Sequence, residues 1–285
     1  MNKTVLIIDG TNIMHRNHFA YPEALTDGKG NRTGAIFGTI KHLKKFADEL
    51  KPIQMYICTD ISRNTFRTDI YSEYKATRGE TDPALKAQMP LLEEFCEYAN
   101  IPYLKMQGFE ADDLIGSLAK NTAKFGFNPV VISGDKDVFQ LIDEDINVMY
   151  VSQKGLVKYD LEQLKEKYSG LTPEQFLELK ALMGDKSDNI PGVPNVGEKT
   201  GIKLLKEFGS IDEIYNRIDE LKGKQRERLI ENRDIAYLSK KLATIVTDLD
   251  LDYNNYFEVL TEIDFSFNNN EVQEFFKRLN IEQIK

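Results

Sequence analysis

The chain has 285 residues, 41% hydrophobic and 29% charged, which at ~150 residues per domain suits one large domain or one with an appendage and argues against disordered or fibrous architectures. Its 37 Lys and Arg against 46 Asp and Glu give a formal net charge of −9, which argues against a protein that grips nucleic acid over its whole surface. Val5 to Ile8 is too short for a signal-peptide core and no span approaches the ~20 apolar residues of a membrane helix. Cys58 and Cys96 fit no metal-binding spacing, so free thiols and a cytoplasmic setting are expected.

In chain order, Thr4 to Ile8 is predicted as a buried strand ending at Asp9-Gly10, and Ala35 to Leu50 as a helix with apolar residues at 36, 40, 43, 47 and 50. Ile53 to Thr59 is a second strand. Asp60 to Thr81 fits neither period, is rich in Arg, Tyr and Lys, and is a long excursion of the kind that is functional or mobile. Ala84 to Ala99 is helical, Pro102 to Lys105 short and extended, Ala111 to Phe125 helical, and Pro129 to Ser133 a third strand. This alternation predicts an α/β fold with a mostly parallel central sheet and helices on both faces. From about Leu161 the pattern turns helical: Leu161 to Tyr168, Pro173 to Met183, Glu198 to Phe208 and Arg226 to Leu238. Thr172 as N-cap with Pro173 at the first helical position marks a helix start and a boundary near 170.

Three strands deliver acids to one rim: Asp9 after the first, Asp60 after the second, and Asp135 with Asp137 in Ser133-Gly134-Asp135-Lys136-Asp137 after the third. The carboxyl ends of parallel strands share an edge where ligands bind. Glu110, Asp112 and Asp113 open a helix, and Asp185 and Asp188 follow another. Singly, each has a plainer explanation as turn, helix cap or loop. Together, nine carboxylates would repel one another unless cations were present. Oxygen ligands without His or Cys fit magnesium or manganese, and two such ions ~3.5–4 Å apart are the usual arrangement for hydrolysing a phosphodiester. Setting the nine aside leaves the rest of the chain neutral.

Tyr71, Tyr74, Lys75 and Arg78 fall at i, i+3, i+4 and i+7, one face if helical, where rings beside cations suit base stacking and phosphate contact; a solvated helix face is the alternative. The stretch Gly192-Val193-Pro194-Asn195-Val196-Gly197-Glu198-Lys199-Thr200 misses the P-loop pattern by one residue and follows no strand. It is better taken as a tight hairpin between helices whose backbone N–H groups and following helix N-terminus receive a DNA phosphate, with Gly192, Val193, Val196, Gly197, Lys199, Thr200 and Lys203 as the contacts. Residues 199 to 241 carry 11 basic and 8 acidic side chains, so charge is segregated along the chain.

These residues together resemble the 5′ nuclease family, the 5′→3′ exonuclease domain of bacterial polymerase I and the stand-alone phage and bacterial flap endonucleases. The resemblance runs from Val5-Leu6-Ile7-Ile8-Asp9-Gly10-Thr11-Asn12 to about Phe265 and includes Gly108-Phe109-Glu110-Ala111-Asp112-Asp113, Ser133-Gly134-Asp135-Lys136-Asp137 and Met183-Gly184-Asp185-Lys186-Ser187-Asp188-Asn189. It implies a nuclease core over residues 1–170, a helical arch at about 62–100 and a C-terminal helix-hairpin-helix DNA-binding region over 171–285. It maps the family's metal positions onto Asp9, Asp60, Glu110, Asp112, Asp113, Asp135, Asp137, Asp185 and Asp188, its arch cations onto Lys75 and Arg78, and an active-site arginine onto Arg16. It also implies a potassium ion on the hairpin carbonyls. Asn195 stands where the family commonly has Gly, and tolerates left-handed backbone; Gly201 stands where it commonly has Ala, and is expected to weaken that helix start by up to ~1 kcal/mol.

The expected function is a magnesium- or manganese-dependent 5′ nuclease with two metal sites. It would act as a monomer on DNA with a 5′ flap, 5′ overhang or single-strand/duplex junction, leaving 5′-phosphate and 3′-hydroxyl ends. Lys75, Arg78 and Arg16 would stabilise charge on the scissile phosphate. The alternatives are a non-catalytic junction-binding relative and a ribonuclease acting on RNA or RNA/DNA hybrids.

Overall fold

The computed structural model describes residues 3–251 and 265–284, so residues 252–264 and 285 of the expected C-terminal region lie outside the described ones. Six strands form one sheet: β1 (Thr4–Asp9), β2 (Gln54–Cys58), β3 (Tyr103–Leu104), β4 (Asn128–Ser133), β5 (Asn147–Ser152) and β6 (Gly155–Tyr159). Their spatial order is β3-β2-β1-β4-β5-β6. All neighbours pair in parallel except β5 and β6, which form an antiparallel hairpin at the edge. The mostly parallel sheet is as expected. The hairpin is a strand pair that the apolar pattern did not announce, because edge strand β6 exposes both Val157 and Lys158, on opposite faces, and buries none of its residues fully.

Side chains alternate across β1, and that alternation builds two cores. Val5 and Ile7 join α6 (Ala111–Lys124) and the helices that follow residue 170, whereas Leu6 and Ile8 join α2 (Gly34–Leu50) and α5 (Met89–Tyr98). Both faces are covered, so Val5–Ile8 of β1 and Met55–Cys58 of β2 are continuous apolar runs. Cys58 and Cys96 are buried free thiols within these cores, and burial pushes both thiols up.

Several boundaries differ from expectation. Helix α1 (Gly10–Ala20) begins directly after β1 with Asp9 as its N-cap, where the sequence shows only a weak apolar face. The helix expected over 84–99 is two, α4 (Pro83–Lys86) and α5, because Pro90 lacks the N–H an uninterrupted helix needs and suits a first turn instead. A short helix α3 (Phe66–Ile70) stands near the start of the segment expected as an arch.

Beyond β6 come α7 (Leu161–Lys167), α8 (Pro173–Met183), α9 (Glu198–Phe208) and α10 (Ile211–Asn216). Thr172 caps α8 through the Gln175 amide, as the Thr-Pro pair indicates. The helix expected over 226–238 is divided at Asn232 into α11 (Gly223–Glu231) and α12 (Arg233–Ala243). The last α-helix among the described residues, α13 (Asn270–Leu279), packs on α5, where Phe275 and Phe276 meet Phe95. No helix among the described residues is long and apolar enough to cross a membrane.

Candidate active site

The C-terminal ends of the parallel strands bring the acids together. The Asn12 amide donates to Asp9 Oδ1 at 2.9 Å, and the Ser133 hydroxyl to Asp9 Oδ2 at 2.7 Å, joining β1 to β4. From there the turn is laced tightly: the Gly134 amide donates to Asn12 Oδ1 at 3.0 Å, the Asp135 amide to Ser133 Oγ at 3.0 Å, and the Asp137 amide to Asp135 Oδ1 at 3.0 Å. A Cβ at Gly134 would lie 2.6 Å from Asn12 Oδ1 and 3.3 Å from Arg16 Nη1, so only glycine fits, and Arg16 lies against the turn that leads to Asp135. Asp60 accepts from the Ala111 amide at 2.9 Å and thereby caps α6, bringing the acids of that helix to the same rim.

The electrostatics are those of crowded carboxylates. Burial, reinforced by Asp60 and Asp135, raises Asp9 to about 7. Burial, reinforced by Asp135, raises Asp137 to about 7, and burial with Asp9 and Asp135 pushes Asp112 well up. Protein cations relieve the remainder. Lys75 Nζ lies 2.9 Å from Glu110 and 3.8 Å from Asp188, Arg78 pairs with Asp188, and Lys180 pairs with Asp137 and, at 2.7 Å, with Asp185. Burial opposes ionisation of Asp185, but Lys180 overcomes it and holds that carboxyl at about 2. No three of these side chains form a ready-made metal cage among the described residues. The donor set still fits a hard divalent ion: it is all oxygen, its members resist joint ionisation without added positive charge, and magnesium needs only one or two direct carboxylates and keeps its waters.

The structure sets Asp113 apart from the other acids. Arg67 Nη1 and Nη2 donate to its two oxygens at 2.7 and 2.8 Å, and the Glu110 and Val246 amides donate to it at 3.1 and 2.9 Å. Its acceptor sites are occupied by the chain, so it holds α6 in place rather than facing the rim. The 71–78 stretch is a second correction. It is a series of turns after α3, not a helix: Lys75 takes a left-handed backbone (φ 54°) and its amide donates to the Asp188 carbonyl at 2.8 Å. Tyr74 is 5% exposed, packs beside Ile190, Leu242 and Ala243, and has its hydroxyl 3.2 Å from Glu110 and 3.3 Å from Asp188. Its ring is core, closed to a base; Tyr71 is half-buried beside it. Lys75 and Arg78 nevertheless meet at the acids, through the turns rather than a helical face.

In the stretch expected as a hairpin, Val193 and Val196 are buried, so only their backbone is available to a ligand, whereas Gly197, Lys199 and Lys203 are exposed and Thr200 is half-buried. Gly192 is buried, its amide donating to Ser239 Oγ at 3.0 Å. Asn195 takes φ 62°, the left-handed turn the sequence allowed for. At Gly201, a Cβ would lie 2.5 Å from Leu179 Cδ1, so this glycine lets α9 approach α8. Arg67 and Lys180 escaped the sequence reading. The only signal for Lys180 was a lysine among the apolar residues of α8.

Residues 4–169 match the family model for the 5′-3′ exonuclease N-terminal resolvase-like domain, and residues 171–264 that for the 5′-3′ exonuclease C-terminal SAM fold. The chain belongs to the 5′-3′ exonuclease family. DNA polymerase I of Bacillus subtilis (strain 168) is 45% identical over 250 residues, which cover 86% of this chain and 28% of that protein. DNA polymerase I of Caldicellulosiruptor bescii is 38% identical over 296 residues, covering 98% of this chain and 34% of the relative. The chain thus spans about a third or less of the length of these curated DNA polymerase I relatives. Among solved structures, zinc-bound T5 5′-exonuclease gives a TM-score of 0.69 at 24% identity over 99% of both chains. A T5 flap endonuclease complex with DNA and metal ions gives 0.68 at 24%, covering 99% of this chain and 98% of that one. The 5′-3′ exonuclease family consists of hydrolytic nucleases, and these two likenesses show that the chain shares their fold.

Proposed function

We propose that this chain is a divalent-metal-dependent, structure-selective 5′ nuclease that hydrolyses DNA phosphodiesters at 5′ ends and flap junctions, leaving 5′-phosphate and 3′-hydroxyl. The observation that carries this reading is the row of buried and half-buried acids along the strand ends, with Lys75 and Arg78 closing on it from one side and Lys180 from the other. Such a row opposes phosphate unless divalent cations enter it, so a purely DNA-binding role gains nothing from it.

Asp9, Asp60, Glu110, Asp112, Asp135, Asp137, Asp185 and Asp188 would hold two magnesium or manganese ions, in part through water, and Asp113 would brace Glu110 from behind. When bound, these ions supply an activated water and charge neutralisation at the leaving oxygen. The protein's own cations do the rest. Lys75 and Arg78, freed from their acids, would bind the scissile phosphate, and Arg16 at the Gly134 turn would support it. Backbone amides at Gly197 to Thr200, with Lys199 and Lys203, would hold duplex phosphates, with potassium on the hairpin carbonyls. The core would be residues 1–170 and the duplex-binding region 171–285. The protein would work as a monomer in the cytoplasm, where its two buried thiols stay reduced.

A labelled 5′-flap oligonucleotide with purified protein tests this. Cleavage in magnesium, none in excess chelator, and none by Asp135→Asn are expected; equal cleavage with and without chelator would overturn the metal mechanism. A matched RNA flap separates DNA from RNA preference.

A further inference from the structure

Two cavities flank the acidic row. The larger, about 980 Å³, lies on the β2–β3 side and is lined by cations of the arch segment, Arg63, Lys75, Arg78 and Lys86, together with Asp60 and Glu110. The smaller, about 500 Å³, lies on the β4–β5 side, with Asp135 and Asp137 on one wall and Tyr150, Tyr168 and Phe176 on another. A strand laid across the row with its phosphate at the acids therefore has one neighbouring nucleoside over each cavity.

The smaller cavity is built for a base rather than a phosphate. Its one buried cation, Lys180, is shared by Asp137 and Asp185; Lys136 and Lys186 are exposed; and Glu198 is an anion on its lining. A flat, neutral group suits the aromatic wall. Tyr150 is half-buried, and its ring neighbours meet it at an angle: Phe139 at 5.7 Å and 59°, and Tyr159 at 6.3 Å and 89°. Among the described residues no ring lies parallel to Tyr150, and the only cation over it is Lys167 Nζ, 6.0 Å from the centroid. Lys167 braces the cluster, with Nζ 4.6 Å from the Tyr159 ring centroid and 2.6 Å from its hydroxyl. The volume falls within the roughly 300–1,000 Å³ of small-molecule sites and suits one nucleoside, not a duplex.

We propose that this cavity is a nucleobase subsite, in which the base flanking the scissile phosphate on the side away from the arch segment stacks on Tyr150. The proposal rests on the nuclease reading above and adds to it a specificity-determining residue. A base seated there has left its duplex stack, so the site selects substrates whose junction base is unpaired or easily unpaired.

The test is an abasic cycle. Flap substrates are made intact, or with a tetrahydrofuran residue at one or the other nucleotide flanking the cleavage site, and cut by wild type and Tyr150→Ala. Tyr150→Ala is expected to lower kcat/KM on the intact flap about tenfold, the low end of one base–aromatic stack, and to lose nothing further when the seated base is absent. Tyr150→Phe, which keeps the ring, should restore most of the loss. Independent losses that multiply at both positions would overturn the subsite. If Tyr150→Ala does not fold, 2-aminopurine at each flanking position, bound to Asp135→Asn in magnesium, gives the answer: quenching at one position supports stacking, and unchanged fluorescence at both overturns it. Failure of wild type to cut the intact flap would instead defeat the nuclease reading itself.

Discussion

Arg67 grips Asp113 through two side-by-side N–H···O bonds, Nη1 to Oδ2 at 2.7 Å and Nη2 to Oδ1 at 2.8 Å, with the carboxylate wholly out of solvent. Arg67 also donates to the Leu242 and Thr244 carbonyls at 2.9 and 2.7 Å, so one side chain ties α3, the start of α6 and the segment after α12 together. Its guanidinium lies 3.5 Å from Glu110, which gives that acid a fixed neighbour on the side away from the rim.

Removing one partner of this pair leaves the other charged and buried. Asp113→Ala is expected to cost about 3–5 kcal/mol in urea unfolding. Manganese titrated calorimetrically should bind Asp112→Asn far more weakly than Asp113→Asn. Equal weakening in the two variants would return Asp113 to the metal site.

The acids fix how stability follows pH. Asp9 and Asp137 are raised from 3.8 to about 7, chiefly by burial, so the native state keeps protons that the unfolded chain has released. Stability of the metal-free protein therefore falls as pH rises through that window. Asp185, lowered to about 2, acts oppositely, but its contribution is lost only as pH falls below 3.8. Thermal melting in chelator should show Tm dropping between about pH 5 and pH 7, and magnesium should flatten the drop. A chelated Tm that stays level or rises across this range would contradict the assignment.

Lys75 stands between Glu110 and Asp188 on a left-handed backbone, held by its own amide to the Asp188 carbonyl. In the proposed mechanism this cation acts on charge that develops during reaction more than on the ground state. Lys75→Ala should slow single-turnover cleavage about 100-fold while changing flap Kd less than about threefold. A larger change in Kd than in rate would recast Lys75 as a docking residue.

How far the sequence could be read depended on the range of the interaction. Apolar runs ending in Asp are local patterns, and they located Asp9, Asp60, Asp135 and Asp137 on one rim before any coordinates. The Arg67–Asp113 pair spans 46 positions and the bond from Lys180 to Asp137 spans 43, with nothing local to announce either. The shared face considered for 71–78, conditional on a helix there, fails for the opposite reason. Spacings of three and four are necessary for a helical face but not sufficient, and here the core took the Tyr74 ring while Lys75 turned left-handed to reach the acids. Periodicity also could not show that Pro90 and Asn232 interrupt long apolar patterns.

Gly201 shows the same limit at a single atom. Helix propensity alone makes alanine the better residue there by up to ~1 kcal/mol. The structure reverses this, because the added methyl would press on Leu179 at 2.5 Å. Gly201→Ala should lower stability by roughly 1 kcal/mol net, measured by urea unfolding, and should become stabilising in a Leu179→Ala background. A stabilised single variant would show that α8 and α9 have room to spare.

The folding of α13 back onto α5 bears on where the chain can be cut. The matched family region ends at residue 264, yet Phe267, Phe275 and Phe276 lie beyond it and cover Phe95. Trimming at the end of that match would bare a greasy patch on the same core that supports β1, inviting aggregation far from any catalytic group.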